Sequence, residues 1–431
     1  MMLDTYPKIL VFASSITPYR PWGVNIPNYF WTGGISLGAF FIYSLYTVFG
    51  IEKFKRLASM CLLIAFSFIA IAPLNLVDDL KQPGRITYVF LYGWSRFTAT
   101  PMKWGVIMLT TYMILTLLSL IVYYRPFFVS LYNSVEGSRL KLVFKLLTLN
   151  RLELTEKAIK KDKRILFYLG AIGLLFGIGV EFSKGYLLER LIAFPLVHFP
   201  ALPLIMLISA LVSGSGFVLF FYPIYQKLMG KEIDRGDIAA VANIMAWAIL
   251  AELILDLLWY SSGLAFSGFT KYNIDAVLTN MTAWPVVGKL ISDLFLYPFG
   301  FDFSGITKYY MRAYFKEELI GILVFDLGLF LFVPMILAFS KAKRSSFIMF
   351  IAGILAAFGA WYFKYSPVIG AESFPKLTGG LLTYIMPIFG HNSLQSLIAN
   401  WAGIIWLLSA TIALLPHADD LYKGFGKEVK V

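Results

Sequence analysis

Long apolar runs, separated by short polar connections, constrain this chain more than any other feature of its sequence. Several runs reach the roughly 20 apolar residues that an α-helix needs to cross a bilayer. Hydrophobic residues make up 59% of the 431 positions and charged residues only 14%, whereas about a quarter of the residues in soluble domains are charged. Because lipid cannot satisfy backbone polar groups, runs of this length predict helices. We therefore predict an all-α, polytopic membrane protein.

The apolar runs predict about nine transmembrane helices, with a range of eight to ten. The predicted spans are residues 28–50, 57–77, 103–124, 165–188, 201–222, 238–262, 317–339, 347–365 and 394–415. A further apolar stretch, 283–300, is broken by Pro285 and Pro298. TGGISLGA in the first span echoes SALVSGSG in the fifth, and small residues of this kind let helices approach closely. From this echo we expect two four-helix bundles plus a C-terminal helix.

Lysine and arginine residues are concentrated in alternate connections, which predicts the orientation. They follow the first, third, fifth and seventh spans, and the densest group lies between Arg125 and Arg164. We expect these connections in the cytoplasm, which places the N-terminus and Asp79 outside and the C-terminus in the cytoplasm. The expected domains are an external N-terminal segment (1–27), a first bundle (28–188), a second bundle (189–365), and an external loop with the last helix and a cytoplasmic tail (366–431).

Two connections have features of their own. Residues 140–163 mix leucines at helical spacing with basic residues, which is typical of an amphipathic helix on the inner leaflet and equally of a solvated basic loop. The outer connection, 263–316, is aromatic and rich in Gly and Pro, so we expect it to be structured and available to a partner. The net charge of +12 comes mainly from such connections. It indicates topology and contact with anionic lipid rather than a nucleic-acid partner.

The sequence offers little chemistry of the soluble kind. It has 3 histidines, and none lies within a predicted span, so we expect no haem. Its 1 cysteine, Cys61, lies in an apolar stretch and is expected to pack in the core rather than hold a cluster. Metal-ligand spacings, phosphate-binding loops and nucleophile elbows are not found in the sequence. We expect no metal in this chain.

Ionisable residues at membrane depth are the first functional candidates. Glu252 and Asp256 are one turn apart on the sixth span, and Asp326 lies near the middle of the seventh. Glu181 and Lys364 lie near the outer ends of the fourth and eighth spans. Proton transfer and interhelical hydrogen bonding both fit such residues. The shared face of Glu252 and Asp256 favours proton transfer. The candidates for that role are Asp79, Glu181, Glu252, Asp256, Asp326 and Lys364.

A second group of polar residues is predicted at the outer face. Its members open the first span, follow the second and start the third: Asn25, Asn28, Tyr29, Asp79, Arg85 and Trp104. A quinone headgroup needs hydrogen-bond donors for its two carbonyls, an aromatic wall and a carboxylate that passes protons. The group could supply all three, although Asn and Tyr are also common at membrane interfaces.

The sequence resembles the NrfD/PsrC family, the quinone-reactive membrane subunits of polysulfide reductase and its relatives. NYFWTGGISLGAF is similar to the opening helix of that family, DLKQPGRI to its DLxRPxRF stretch and TPMKWG to its SPMSWG. SKGYLLERLIAFPLVHFPALPLIMLISALVSGSG, AELILDL and FGAWYFKYSPVIGAESFP resemble later segments of the family in the same order. The resemblance covers residues 28–375.

The resemblance has implications for the site and the partners. A histidine that some members use for the quinone falls on Tyr29, and a tyrosine of their fourth helix falls at Ser183, with Tyr186 close by. A family tryptophan corresponds to His198, and an arginine of the eighth helix to Lys364. The resemblance implies that this chain holds no redox centre of its own and binds a menaquinone-type quinone as substrate. It further implies that a four-cluster iron–sulfur subunit docks on the outer face and connects this chain to a molybdopterin catalytic subunit.

The leading hypothesis is the membrane anchor and quinone/quinol-reactive subunit of a molybdopterin oxidoreductase of the sulfur or polysulfide reductase type. The anchor of a hydrogenase or of an alternative quinol-oxidising complex is a second hypothesis within the same family. A proton-coupled transporter is an alternative from another class, suggested by Glu252, Asp256 and Asp326. Against it, no inverted repeat or pair of broken helices marks a central substrate site.

Overall fold

The computed structural model describes residues 22–80, 82–191, 196–266, 321–370 and 384–421, and every regular element in these ranges is helical. The helices are α1 (Asn25–Thr47), α2 (Lys55–Asp79), α3 (Pro101–Tyr123), α4 (Arg125–Ser134), α5 (Ser138–Leu147), α6 (Glu156–Glu189), α7 (Leu202–Leu228), α8 (Arg235–Phe266), α9 (Gly321–Phe339), α10 (Ser346–Tyr365) and α11 (Leu394–Leu414). Short helical turns lie at Glu52–Phe54, Pro83–Arg85, Tyr88–Leu91, Trp94–Ala99, Lys341–Arg344 and Ala418–Asp420.

The prediction of an all-α, polytopic membrane protein is confirmed. In the described part of the chain, 8 helices are long and apolar enough to cross a membrane. Helix α1 is not among them, because Asn25, Asn28 and its 3 glycines lower its mean hydropathy. Every residue from Asn25 to Phe40 is buried. Since other helices cover α1, it needs no apolar surface toward lipid.

Several predictions fall outside the described ranges. They are the segment before residue 22, nearly all of the outer connection 263–316, the start of the seventh span at 317–320, and residues 371–383 and 422–431 of the last predicted domain.

Helix α1 is the centre of the packing. It contacts α2, α6, α7 and α10, while α3 packs on α6 and α11 on α2. Helix α7 packs against α8 and α10, and α9 packs against α8 and α10. The long α6, with 34 residues, starts before the predicted span and ends with it. The α1–α7 contact joins the two halves for which the sequence predicts separate bundles.

The two small-residue stretches meet in this contact. A Cβ atom added to Gly38 would lie 2.7 Å from the Cα atom of Gly214, which is closer than real Cβ contacts. One turn earlier, a Cβ atom on Gly34 would lie 3.1 Å from the Oγ atom of Ser213. The absence of side chains therefore lets the backbones of α1 and α7 touch.

A buried ion cluster fixes the predicted cytoplasmic end of the first half. Arg125 is fully buried, and its Nε atom donates to the Asp162 carboxylate at 2.6 Å. Its Nη1 atom donates to the carbonyls of Arg151 at 2.8 Å and Glu153 at 3.0 Å. Arg151 also pairs with Asp162, at 2.9 Å. The cluster ties the start of α4 and the loop before α6 to α6 itself.

Helix α5 occupies only the first part of the stretch 140–163. It ends at Leu147, and α6 begins at Glu156 after a non-helical connection. Leu142 and Leu146 on α5 are 60% and 68% exposed, beside the exposed basic residue Lys145. Residues 156–163 belong to the first turns of α6.

We predict that the Gly214→Ala substitution destabilises the protein, because the new methyl group would lie against the backbone of Gly38. Overpacking of this kind costs roughly 1–3 kcal/mol, so the midpoint of thermal unfolding in detergent should fall. Gly403→Ala on α11 is the matched control, since its Cβ atom would lie 3.4 Å from Ile71, an ordinary contact. Equal midpoints for the two variants would contradict the backbone contact.

Candidate functional site

The structure divides the predicted outer-face residues into two neighbouring groups around the first turns of α1. Asn25 and Asn28 face α2 and α11, whereas Tyr29 faces α6. Arg85 lies in the Pro83–Arg85 turn and is exposed. The start of α1 therefore separates a network on one side from an ion pair on the other.

The first group is a hydrogen-bonded network between α1, α2 and α11. The Asn28 side chain donates to the Oδ1 atom of Asn75 at 2.6 Å and accepts from Trp401 Nε1 at 2.9 Å. Asn400 donates to the same Asn75 oxygen at 2.9 Å. Both ends of the Asn28 amide are therefore occupied by protein partners.

Asp78 and Asp79 belong to the same network, at the end of α2. Asp78 accepts from the side chain of Asn25. Asp79 accepts from the backbone N–H of Gly23 at 3.2 Å and from Asn392 Nδ2 at 2.7 Å. These donors orient the Asp79 carboxylate toward the start of α1 and the segment before α11.

The second group centres on a buried ion pair between two residues of α6. Lys184 donates to Glu181, and both side chains are almost fully inaccessible to solvent. The Lys184 ammonium lies 4.6 Å from the centre of the Tyr29 ring and 3.4 Å from the Phe30 carbonyl oxygen. Gly33 makes room for the pair, because a Cβ atom there would lie 2.9 Å from Glu181 Oε1.

An aromatic pair joins α3 and α6, and its Tyr186 follows Lys184 by two residues on α6. The rings of Trp104 and Tyr186 stack with centres 6.1 Å apart and planes inclined by 10°. Trp104 donates through Nε1 to the Phe97 carbonyl at 2.6 Å, and Arg190 donates to the Tyr186 hydroxyl. Ser183 donates to the Val180 carbonyl of its own helix at 2.8 Å. Tyr29 and Lys184 therefore lie between α1 and α6, whereas Ser183 faces α3 at Gly105, in the interface that also holds the aromatic pair.

A second set of buried ionisable groups lies in the other half of the protein. Lys364 on α10 is fully buried and donates to Ser209 Oγ on α7 at 3.1 Å. It interacts electrostatically with Glu252 and also with Glu181 and Lys184. Ser209 in turn faces Glu252. Lys364 therefore connects the α6 ion pair to the acidic residues of α8.

The acidic residues continue along α8 to α9. Asp256 interacts electrostatically with Glu252 and Asp326, and neither of its carboxylate oxygens has a hydrogen-bond partner among the described residues. Asp326 accepts from the Tyr260 hydroxyl at 2.6 Å. Asp326 lies in the π-helical first part of α9, Gly321–Phe332, and such turns are frequent at functional sites. The structure therefore brings all four of Lys364, Glu252, Asp256 and Asp326 into one buried cluster.

Sequence reasoning missed several residues of these groups. Lys184 carried a signal, because it follows Glu181 by three positions and such residues share a helix face. Asn75 and Asn400 are polar residues inside apolar runs, which was also a usable signal. Asn392 gave none, since its partners lie far away in the sequence. The other missed residues are Ser209, Tyr260 and Trp401.

Comparison with known proteins connects this arrangement to a family. The polysulphide reductase NrfD family matches residues 14–375 of the chain. A selenate reductase subunit from Mesobacillus selenatarsenatis is 24% identical over 431 residues, which covers 97% of this chain and 89% of that protein. Both groups of candidate residues on α1, α2, α3 and α6 lie inside the family match. Helix α11 and Asn392 lie beyond its end.

Proposed function

Because the chain belongs to the polysulphide reductase NrfD family, we propose that it is the membrane anchor and quinone-reactive subunit of a molybdopterin oxidoreductase complex. In this proposal it exchanges electrons between a menaquinone-type quinone and a four-cluster iron–sulfur subunit on the outer face, which serves a molybdopterin catalytic subunit. The names of the family and of the relative both designate reductases of sulfur or selenium compounds, which supports a reductase complex of the sulfur or polysulfide type.

The observation that carries the proposal is the buried Lys184–Glu181 pair beside Tyr29, with the Trp104–Tyr186 stack at the neighbouring contact of α6 with α3. A charged pair at membrane depth costs several kcal/mol per ion to desolvate, and such pairs mark functional pathways in membrane proteins. An ammonium donor, a carboxylate and flat aromatic faces match the two oxygens and the ring of a quinone headgroup. Glu181 Oε2 is also buried without a hydrogen-bond partner in the described ranges.

The residues around this pair would hold the headgroup and handle its protons. A bound quinone would supply two-electron chemistry that consumes or releases two protons. Lys184 and Tyr29 would face its oxygens, Trp104 and Tyr186 would form the wall with Ser183 at its base, and Glu181 would hold a proton. The network of Asn25, Asn28 and Asp79, with Arg85 in the turn that follows α2, would border an entrance to the site from outside, where Asp79 would exchange protons with the outer water.

We predict that the Asp79→Asn substitution leaves assembly intact but lowers quinol-linked turnover by about 10²-fold, the usual contribution of a positioned proton-transfer group. The amide keeps the shape of the side chain and still accepts hydrogen bonds through one oxygen. Turnover with a soluble dye that feeds the catalytic subunit should remain. Glu136→Gln, in the exposed connection before α5, is the control. Unchanged quinol-linked turnover in the Asp79→Asn variant would contradict the proposed role of Asp79 in proton exchange.

We further propose that the buried cluster on α8, α9 and α10 conducts protons. Lys364 interacts electrostatically with Glu252, which in turn interacts with Asp256 and Asp326, so the cluster has one positive charge for three carboxyl groups. A buried carboxyl group without a cation or hydrogen-bond donor is most stable when it holds a proton. Lys364 also interacts electrostatically with Glu181, and this interaction would connect the buried cluster to the proposed quinone site.

Replacement of Asp256 by Asn tests conduction, because the amide keeps the volume of the side chain and cannot exchange a proton. If the cluster conducts, proton uptake per electron or the turnover rate in reconstituted vesicles should fall while the protein stays folded and binds quinone. Asp419→Asn, at an exposed position after α11, controls for the loss of one carboxylate. A ratio and a rate that both equal the control values would argue for a purely structural network.

The proposed orientation places the Asp79 connection outside and the α4–α5 connection in the cytoplasm, as the distribution of basic residues indicates. Cysteines introduced at the exposed positions Gln82 and Ser134 test it. The native Cys61 is buried and should not react. In intact cells an impermeant thiol reagent should label Gln82→Cys only, and both variants after the membrane is permeabilised. Labelling of Ser134→Cys alone in intact cells would indicate the opposite orientation. The Asp79 connection would then lie in the cytoplasm and could not form the proposed outer docking face.

A further inference from the structure

Asn392 is the point at which the segment before α11 is attached to the ends of α1 and α2. Its side chain donates to Asp79 Oδ1 at 2.7 Å, and its backbone N–H donates to Asp78 Oδ2 at 3.2 Å. Its side-chain oxygen accepts from the backbone N–H of Asn25 at 3.4 Å. The Tyr384 hydroxyl donates to its carbonyl at 3.3 Å. One residue therefore contacts both carboxylates and the first residue of α1.

The backbone conformation of Asn392 suits an asparagine at this position. Its φ angle is +54°, in the left-handed region that asparagine adopts more readily than most residues. Gly23 lies against its side chain so closely that a Cβ atom on Gly23 would overlap it. Ser393 and Ser396 then cap α11 with reciprocal hydrogen bonds. The turn, the glycine and the cap together hold the Asn392 amide on the carboxylate.

A second row of contacts lies deeper in the membrane along the same helix. Ser396 accepts from the Asn25 side chain at 3.0 Å. Asn400 and Trp401 bind the Asn75–Asn28 pair. Helix α11 and the residue before its cap thus supply partners at three successive levels to polar groups at the start of α1 and the end of α2.

We propose that Asn392 is a positioning residue for the quinone reaction, which holds the Asp78 and Asp79 carboxylates in the orientation needed for proton exchange. This inference rests on the proposed quinone function and on the role of Asp79 in it. It extends the functional site to a helix that follows the region matched by the family. Asn392 acts through Asp79 and does not itself touch the substrate.

The physical reason is the closeness of two adjacent carboxylates. Asp78 and Asp79 repel each other where both are ionised, and each rotates freely unless donors hold it. Asn392 supplies a donor to each, from its side chain and from its backbone. Among the described residues, His391 is a titratable group against this pair, and its Nδ1 atom lies 3.6 Å from Asp78 Oδ1. The neutral amide of Asn392 therefore orients the Asp79 carboxylate and adds no further charge beside it.

Two variants that tolerate the left-handed backbone test the proposal in the assembled complex. Asn392→Gly removes the side-chain donor without backbone strain. Asn392→Asp replaces the donor by a third carboxylate. Asn150→Gly and Asn150→Asp are matched controls, because Asn150 has a φ angle of +58° and is exposed on the opposite side of the membrane. Steady-state quinol-linked and dye-linked turnover are measured for all four, with pH profiles.

We expect Asn392→Gly to lower kcat for quinol about tenfold, the effect of losing one hydrogen bond to a charged group, with dye-linked turnover unchanged. Asn392→Asp should move the rising limb of the quinol pH profile to higher pH, because an added negative charge favours protonated Asp79. A merely structural role would lower both activities together and leave the profile in place. The same kcat, KM and pH profile in the Asn392 and Asn150 variants would overturn the proposal.

Two further results separate the possible failures. Should neither Asn392 variant assemble, Tyr384→Phe removes the hydroxyl that binds the Asn392 carbonyl and the Val24 N–H. Lower quinol-linked turnover with intact dye-linked turnover in that variant would support the proposal, and no change would overturn it. If Asp79→Asn is itself without effect, the proposed function of Asp79 fails. If Asp79→Asn is impaired and the Asn392 variants are normal, only the positioning role fails.

Discussion

Polar side chains at membrane depth must find their partners inside the protein, and in this structure several of those groups meet on α1. Lipid offers no hydrogen bonds, so an isolated polar group there costs several kcal/mol. Buried on every side through its first half, α1 presents Asn25 and Asn28 to α2 and α11, Tyr29 and Gly33 to α6, and Gly38 to α7. A helix of this composition is stable only as the core of the bundle.

The two buried lysines explain how the halves of the protein are connected. Lys184 is paired with Glu181 within α6, while Lys364 lies between that pair and the acidic residues of α8. Removing one member of a buried pair leaves an uncompensated charge and typically costs about 3–5 kcal/mol. The electrostatic connection therefore makes the packing of α6 against α1 and of α10 against α7 mutually dependent. Packing and the proposed proton chemistry use the same groups.

Local sequence predicted the helices well, because a run of apolar residues in lipid has few structural choices. It also located Glu252, Asp256, Asp326, Glu181 and Lys364 at membrane depth, since charge in an apolar run is visible without any tertiary information. It did not predict that α5 would end at Leu147, where the buried Arg125–Asp162 cluster fixes the following loop.

Partners brought together by tertiary folding could not be predicted from local sequence. The partners of Asn28 and Asp79 near α11 depend on contacts between distant segments, and no periodicity records which helix will lie beside α2. The same limit applies to Ser209, whose place between Lys364 and Glu252 depends on how α7 meets α8 and α10.

The attachment of α11 separates insertion of this protein from completion of its site. Asp79 and Asn392 are 313 positions apart, and a ribosome that adds about 5–20 residues each second needs about 15–60 s to cover that distance. During this interval α2 already lies in the membrane, and Asp78 and Asp79 have the donors of Asn25 and Gly23 but lack those that Asn392 later supplies. The end of the bundle formed by the start of α1 and the end of α2 is therefore among the last parts of the molecule to mature. A chain that ends before residue 392 would have most of its helices inserted and an unfinished network around Asp78 and Asp79.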